Sequence, residues 1–194
     1  MNHASSRSFS MLWAAAPLLL ASSIAMAQQK VVPAQSEIGF TSKQMGVPVD
    51  GKFRKWDAQI NFDPKKPEAG SVSFTIDTGS ASFGSPETDA EVPKAPWFNS
   101  AKFPQATFQS SSLKGLGGGK YEVAGKLTIK GSVKDVVVPV SLAAGAGGVT
   151  MATGAFTIKR LDFKIGEGEW SDTSMVANDV QVKFKLAVTG MAPL

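Results

Sequence analysis

Residues 178–190 read "NDVQVKFKLAVTG", and the order of side chains in this stretch decides the class of fold. Val180, Val182, Phe184, Leu186 and Val188 alternate with Gln181, Lys183, Lys185 and Thr189, with only Ala187 out of step. Successive side chains of an extended chain point to opposite faces, so this is a strand with one apolar and one solvated side. The same period-two pattern recurs upstream. "FRKWDAQINF" sets Trp56, Ala58, Ile60 and Phe62 against Asp57, Gln59 and Asn61, and "SVSFTID" sets Val72, Phe74 and Ile76 against Ser73, Thr75 and Asp77. "YEVAGKLTIK" places Tyr121, Val123, Gly125, Leu127 and Ile129 on one face. Further strands fit around 36–43, 105–110, 135–142 and 150–159, about eight in all, which is the count of an all-β sandwich or barrel.

The links between strands are turn chemistry. "DPKKPEAG" (63–70), "GLGGG" (115–119), "KGSVKD" (130–135) and "AAGAGG" (143–148) supply the Gly, Pro and Asp of tight reversals, so successive strands should be antiparallel neighbours. One segment departs from the β rhythm. "SPETDAEVPKAPWF" (85–98) has Ser85 at an N-cap position, Pro86 at the first helical position, and Glu87 and Asp89 where the helix dipole favours anions. Pro93 and Pro96 limit it to one or two turns. The loop that follows carries Trp97 and Phe98 to one end of the sheet, as a plug, a ligand gate, or both.

Length and composition narrow the function. Residues 1–27 have Arg7, an apolar run ending in Leu18-Leu19-Leu20, and an Ala25-Met26-Ala27 site before polar Gln28 and Gln29. This is the layout of a cleaved secretory signal peptide, too short in its apolar run for a membrane span of ~20 residues. Export to a bacterial periplasm is the expectation. Residues 28–194 then form a single soluble domain of 167 residues, with 19 basic against 16 acidic side chains. The basic residues are scattered, which argues against nucleic acid. The chain has no cysteine, and its one histidine, His3, lies in the signal segment. The mature chain thus has no Ser-His-Asp or Cys-His pair and no zinc site of the usual kind. We expect no enzymatic activity, no metal and no cofactor beyond a bound ligand.

The remaining motifs are weak. "KGLGGGKY" (114–121) resembles a phosphate loop but has Lys114 where the first glycine belongs, and it joins two strands. Asp162, Glu167, Glu169 and Asp172 cluster in a glycine-containing loop that matches no calcium spacing, and they read as solvated acids. "GKFRKW" (51–56) gathers Lys52, Arg54 and Lys55 around Phe53 and Trp56, either an outer face or a grip on an anionic head.

The apolar faces therefore carry the function. Closing about eight antiparallel strands into a barrel makes one face an interior, which is either filled by side chains or holds one small ligand. Periodicity alone leaves both open. The inward list mixes Phe40, Phe62, Phe74, Phe108 and Phe184 with Ala58, Gly125 and Gly154. Strands of about ten residues make a tube ~30 Å long, suited to a chain, and each methylene removed from water contributes ~0.8 kcal/mol.

Six motifs in register carry a resemblance. They are "SEIGF" (36–40), "VDGKF" (49–53), "INFDP" (60–64), "WFNSAKFPQATFQSSS" (97–112), "GKLTIKG" (125–131) with "VVVPV" (136–140), and "FTIKRLDFKIG" (156–166). Together they resemble the YceI-like family of bacterial periplasmic proteins over essentially all of the mature chain. The resemblance implies an extended, eight-stranded antiparallel, lipocalin-like barrel with one short helical segment near 86–98. It implies a long amphiphile in the tube: a polyisoprenoid, an isoprenoid quinone or a fatty-acid-like lipid. It also brings in a membrane cytochrome of the b561 type as a partner. Sequestration of hydrophobic toxins or antibiotics, and a filled barrel acting only as an interaction partner, are the alternatives. The oligomeric state stays open, a dimer included.

On this reading Phe40, Phe53, Trp56, Phe62, Phe74, Ile76, Phe108, Phe163 and Phe184 bury the tail. Trp97, Phe98 and Trp170 line the mouth, and Lys52, Arg54 or Arg160 meets the head. Two positions depart from the family pattern. Gln44 stands where many members have histidine, and Thr88-Asp89-Ala90-Glu91-Val92 replaces an Arg-Asp-x-His-Leu run. Both bear on head recognition rather than on the tube.

Overall fold

Eleven strands share one antiparallel sheet in the computed structural model, which describes residues 29–194. The expected signal peptide, residues 1–27, lies outside the described residues. The strands are β1 (Lys30–Val31), β2 (Glu37–Gln44), β3 (Val47–Phe53), β4 (Trp56–Asn61), β5 (Ser71–Asp77) and β6 (Ala81–Ser82). After the helix α1 (Pro86–Glu91) come β7 (Gln105–Gly117), β8 (Lys120–Ile129), β9 (Ser132–Ala144), β10 (Thr150–Lys159) and β11 (Asp179–Thr189). The sheet runs β4-β5-β7-β8-β9-β10-β11-β2-β3-β6, with β1 beside β11.

Eight strands were expected and eleven are present among the described residues. Two of the additions, β1 and β6, are two-residue pairings too short to show a period. The third, β3, reads "VPVDGKF", in which Pro48, Asp50 and Gly51 imitate a loop; its other neighbour, β6, pairs only at Lys52 and Phe53, so Pro48 sits on an open edge where a missing N–H is tolerated. The turns are tighter than the sequence suggested. β9 starts at Ser132, because Lys130 (φ 49°) and Gly131 (φ 77°) complete the reversal alone. α1 has Pro86 in its first turn as expected, but the Ser85 side chain makes no capping hydrogen bond.

The curled sheet closes in an uneven way. β3 pairs with β2, and only Arg54 and Lys55 separate β3 from β4, which pairs with β5. One bent length of chain thus joins the two ends of the sheet. Across the remaining seam the Gln29 side-chain amide acts as a substitute strand, its Oε1 accepting from Phe62 N at 2.9 Å and its Nε2 donating to Phe62 O at 2.5 Å.

β11, the strand of most regular alternation, lies inside the sheet between β10 and β2. Leu186 is 2% exposed and Val188 fully buried, packed with Ile38 and Ala152. Ala187, on the opposite face, is also fully buried. It is covered by the 32–36 segment, where Ser36 Oγ accepts from Ala187 N and Val32 N donates to Ala187 O.

Candidate functional site

The inner faces of the sheet enclose a cavity of about 610 Å³. Val180, Val182, Phe184, Leu186 and Val188 of β11 all line it, so it follows that strand for about 27 Å. The barrel is not filled: an apolar cavity runs along β11 inside it.

Three glycines explain why so many phenylalanines leave a bore. Gly51 sits opposite Phe40, and a Cβ there would lie 2.4 Å from the ring's Cζ. Gly154 is opposite Phe184, with the same clash at 2.5 Å, and Gly125 lies 2.6 Å from Phe108 Cζ by the same measure. The far end of each ring rests against a glycine on the neighbouring strand, where a β-carbon would not fit. Covering a strand glycine with an aromatic also shields backbone that would otherwise be bare. The mixture of large and small inward residues in the sequence is thus a pairing.

The expected tail residues separate into two groups. Phe40, Phe53, Phe62, Phe74, Ile76, Phe108 and Phe184 line the cavity. Trp56 instead lines a polar groove along the seam, between β4 and the 29–37 segment. Phe163, 2% exposed, packs into the core with Ile158 and Ile165 and is absent from the lining. Of the expected mouth residues, Trp97, Phe98, Trp170 and Arg160 line the cavity, whereas Lys52 and Arg54 lie in the seam groove. Lys52 pairs with Glu37 at 3.4 Å; Arg54 donates to Ser82 Oγ and pairs with Asp89 at 3.3 Å.

The mouth is identified by residues that line the cavity and also face solvent. These are Gln44, Met45 at 78% exposure, Met175 at 46%, and Glu87 on α1. Met45 N donates to Met175 O, joining the β2–β3 turn to the 172–177 loop across the opening. The rings of Trp97 and Trp170 stand 5.4 Å apart, tilted by 41°. Trp97 Nε1 is buried without a hydrogen-bond partner, the one such side-chain atom among the described residues.

Two buried cations hold this end together. Arg160 is 2% exposed, and all its donors are spent on main-chain carbonyls. Nε donates to Ala177 O, Nη1 to Ile165 O and Gly166 O, and Nη2 to Trp170 O and Val176 O, at 2.7–3.1 Å. Burial pulls the guanidinium below its ordinary pKa, and no carboxylate pairs with it among the described residues. Lys130, 7% exposed, donates to Ala95 O at 2.9 Å, to Lys164 O at 2.7 Å and to Glu167 Oε2 at 2.9 Å. That hydrogen bond holds the Glu167 carboxyl below the usual carboxylate range. Nothing in the pattern around Lys130 announced this; its left-handed backbone before Gly131 turns the side chain under the loop.

The acidic loop has a structural use. Glu167 pairs with Lys130, Asp172 accepts from Ser174 N and Oγ, and none of Asp162, Glu167, Glu169 and Asp172 lines the cavity. Among the described residues, no group of three or more His, Cys, Asp or Glu is placed to hold a metal ion.

A sequence model of the YceI-like domain matches residues 29–188, nearly all of the described chain. The chain belongs to the YceI-like family. Like this YceI-like chain, the crystal structure of Burkholderia cenocepacia BcnA has the fold just described: TM-score 0.79, 46% identity, 81% of this chain and 99% of that one. A polyisoprenoid binding domain from Saccharophagus degradans, implicated in plant cell wall breakdown, shares the fold at TM-score 0.68 and 18% identity, over 86% of this chain and 99% of that one. A UPF0312 protein of Azotobacter vinelandii is 32% identical over 124 residues, 62% of this chain and 65% of its own. This YceI-like chain spans roughly half to two thirds of the length of the curated relatives it matches, from 46% to 65% among those first found.

Proposed function

We propose that this protein is an exported, non-catalytic carrier that holds one long-chain amphiphile in its barrel, tail inward and head at the end closed by α1. The single observation that carries the reading is the 610 Å³ apolar bore along the whole of β11. A volume of this size falls within the ~300–1,000 Å³ range of ligand sites. Its length favours a chain over a compact substrate. A dozen methylenes at ~0.8 kcal/mol each give about 10 kcal/mol, enough to offset the cost of association. Polyisoprenoids and isoprenoid quinones fit this description, and the Saccharophagus domain, described as binding a polyisoprenoid, supports the class through its shared fold. The signal-like residues 1–27 support a periplasmic address.

Native mass spectrometry of protein purified from periplasm without detergent, with lipid extraction of the same sample, tests the reading. A stoichiometric long-chain adduct is the expected result. A bare mass that stays unchanged after incubation with isoprenoid and fatty lipids would overturn it.

A further inference from the structure

Trp97 brings an unmet donor to the wall of the cavity: its Nε1 is closed off from solvent and has no hydrogen-bond partner among the described residues. The surrounding fold explains why the chain itself does not serve it. The Cζ3 edge of the ring is turned toward Gly166, where a Cβ would stand 3.1 Å from it, and Nε1 lies on the far edge of the indole. The carbonyls of the adjoining loops are engaged elsewhere. Pro96 O accepts from the N–H groups of Gly166 and Glu167, and Ile165 O, Gly166 O and Trp170 O accept from Arg160. A buried donor left in this state is costly, and an acceptor brought to it recovers that cost.

An indole N–H can only donate, so what meets it must carry a lone pair. An ammonium group has none to give. The charge of the acceptor is limited by the rest of the lining, whose charged side chains are Glu87, Glu91 and Arg160. Arg160 has all its donors on main-chain carbonyls, which leaves the lining without a free cation. A carboxylate or phosphate drawn in to Trp97 would be a buried charge without a counterion, a cost that one neutral N–H does not offset. An uncharged oxygen takes the same hydrogen bond without that penalty.

We propose that Trp97 selects the head of the cargo, donating from Nε1 to an uncharged oxygen, a carbonyl or an ether, carried at the end of the long chain. The tail then runs from Trp97 down the bore. This inference rests on the carrier reading and narrows its ligand class.

Three probes share one chain length and differ at its end: tridecane, 2-tridecanone and tridecanoate. Each is added to the mature chain at neutral pH, with native mass spectrometry for affinity and nitrogen–proton correlation spectra for contact at the indole groups. Residues 28–194 hold three tryptophans, Trp56, Trp97 and Trp170, so spectra of Trp56→Phe and Trp170→Phe protein identify the Trp97 signal by elimination. 2-Tridecanone should move that signal downfield and tridecane should not. In Trp97→Phe protein, checked for folding by its melting temperature, affinity for the ketone should fall about tenfold while that for tridecane stays within about twofold. Tridecanoate should bind the parent about tenfold more weakly than the ketone, or worse. A Trp97 signal indifferent to the ketone, an equal loss for ketone and alkane in the variant, or tridecanoate binding as tightly as the ketone would overturn the head assignment while leaving the tube intact. Failure of all three probes on folded protein would instead overturn the carrier reading itself.

Discussion

Gly51→Ala adds one methyl group to the wall of the bore. The new Cβ would stand 2.4, 2.6 and 3.2 Å from three carbons of the Phe40 ring, so the ring must retreat by about an ångström to reach ordinary contact at ~3.5 Å. Phe40 is flanked by Phe53, with centroids 5.2 Å apart, and by Phe83 at 5.1 Å, so its free direction is into the cavity. Overpacking of this kind costs about 1–3 kcal/mol, which for a chain of this size lowers Tm by about 2–12 °C. A ring that swings inward and displaces three methylenes of cargo at ~0.8 kcal/mol each removes about 2.4 kcal/mol, or about 50-fold in Kd. Calorimetric titration with dodecanol and a thermal melt measure both. Adding Phe40→Leu in the same protein should recover most of each loss, because the shorter side chain clears the methyl. A Gly51→Ala protein that melts and binds as the parent does would refute the idea that glycine pairing sets the bore.

Three other outcomes follow from the site. Arg160→Ala leaves five carbonyls without their donor and should cost about 3 kcal/mol or more, with hydrogen exchange accelerating at residues 165–177 before the sheet is affected. Phe74→Asp places a carboxylate in an apolar bore and should reduce dodecanol binding by at least about 100-fold at neutral pH, with circular dichroism showing the sheet intact. Glu167 has a folded pKa below its ordinary value of 4.5, so its contribution is present above that pH and is lost as pH falls through the lower folded value. Acid should therefore release the 164–170 loop, read as a change in Trp170 emission, and Lys130→Met should remove that acid-dependent step.

Much of the fold is legible because the period-two signal is local. Thr150–Lys159 and Ser71–Asp77 have the bounds that alternation alone indicates. β3 was not legible by period, since Pro48 and Gly51 are what an open edge and a ring-covered glycine require but are also what a loop contains. The bore could be proposed but not separated from a filled core, because that depends on where each ring lies. The rings of Phe40, Phe108 and Phe184 are directed by glycines 11, 17 and 30 residues away in the chain. Lys52, Arg54 and Trp56 lie within three residues of Phe53 in sequence, yet they line the seam groove rather than the cavity. The cations that hold the mouth, Arg160 and Lys130, work through main-chain carbonyls, and a carbonyl partner leaves no trace in residue type.

The bent β3–β4 passage gives the wall a property that a fully laddered cylinder lacks. A closed ring of strands has a fixed girth, set by strand number and stagger, and widening it means breaking hydrogen bonds along a whole strand. Here the girth is interrupted between β4 and the 29–37 segment, where the Gln29 amide bridges to one residue, Phe62. The tube is a slit sleeve. On the proposed carrier role, spreading it at this seam would break the two Gln29–Phe62 hydrogen bonds rather than the ladder of a whole strand, which suits a cargo with side branches.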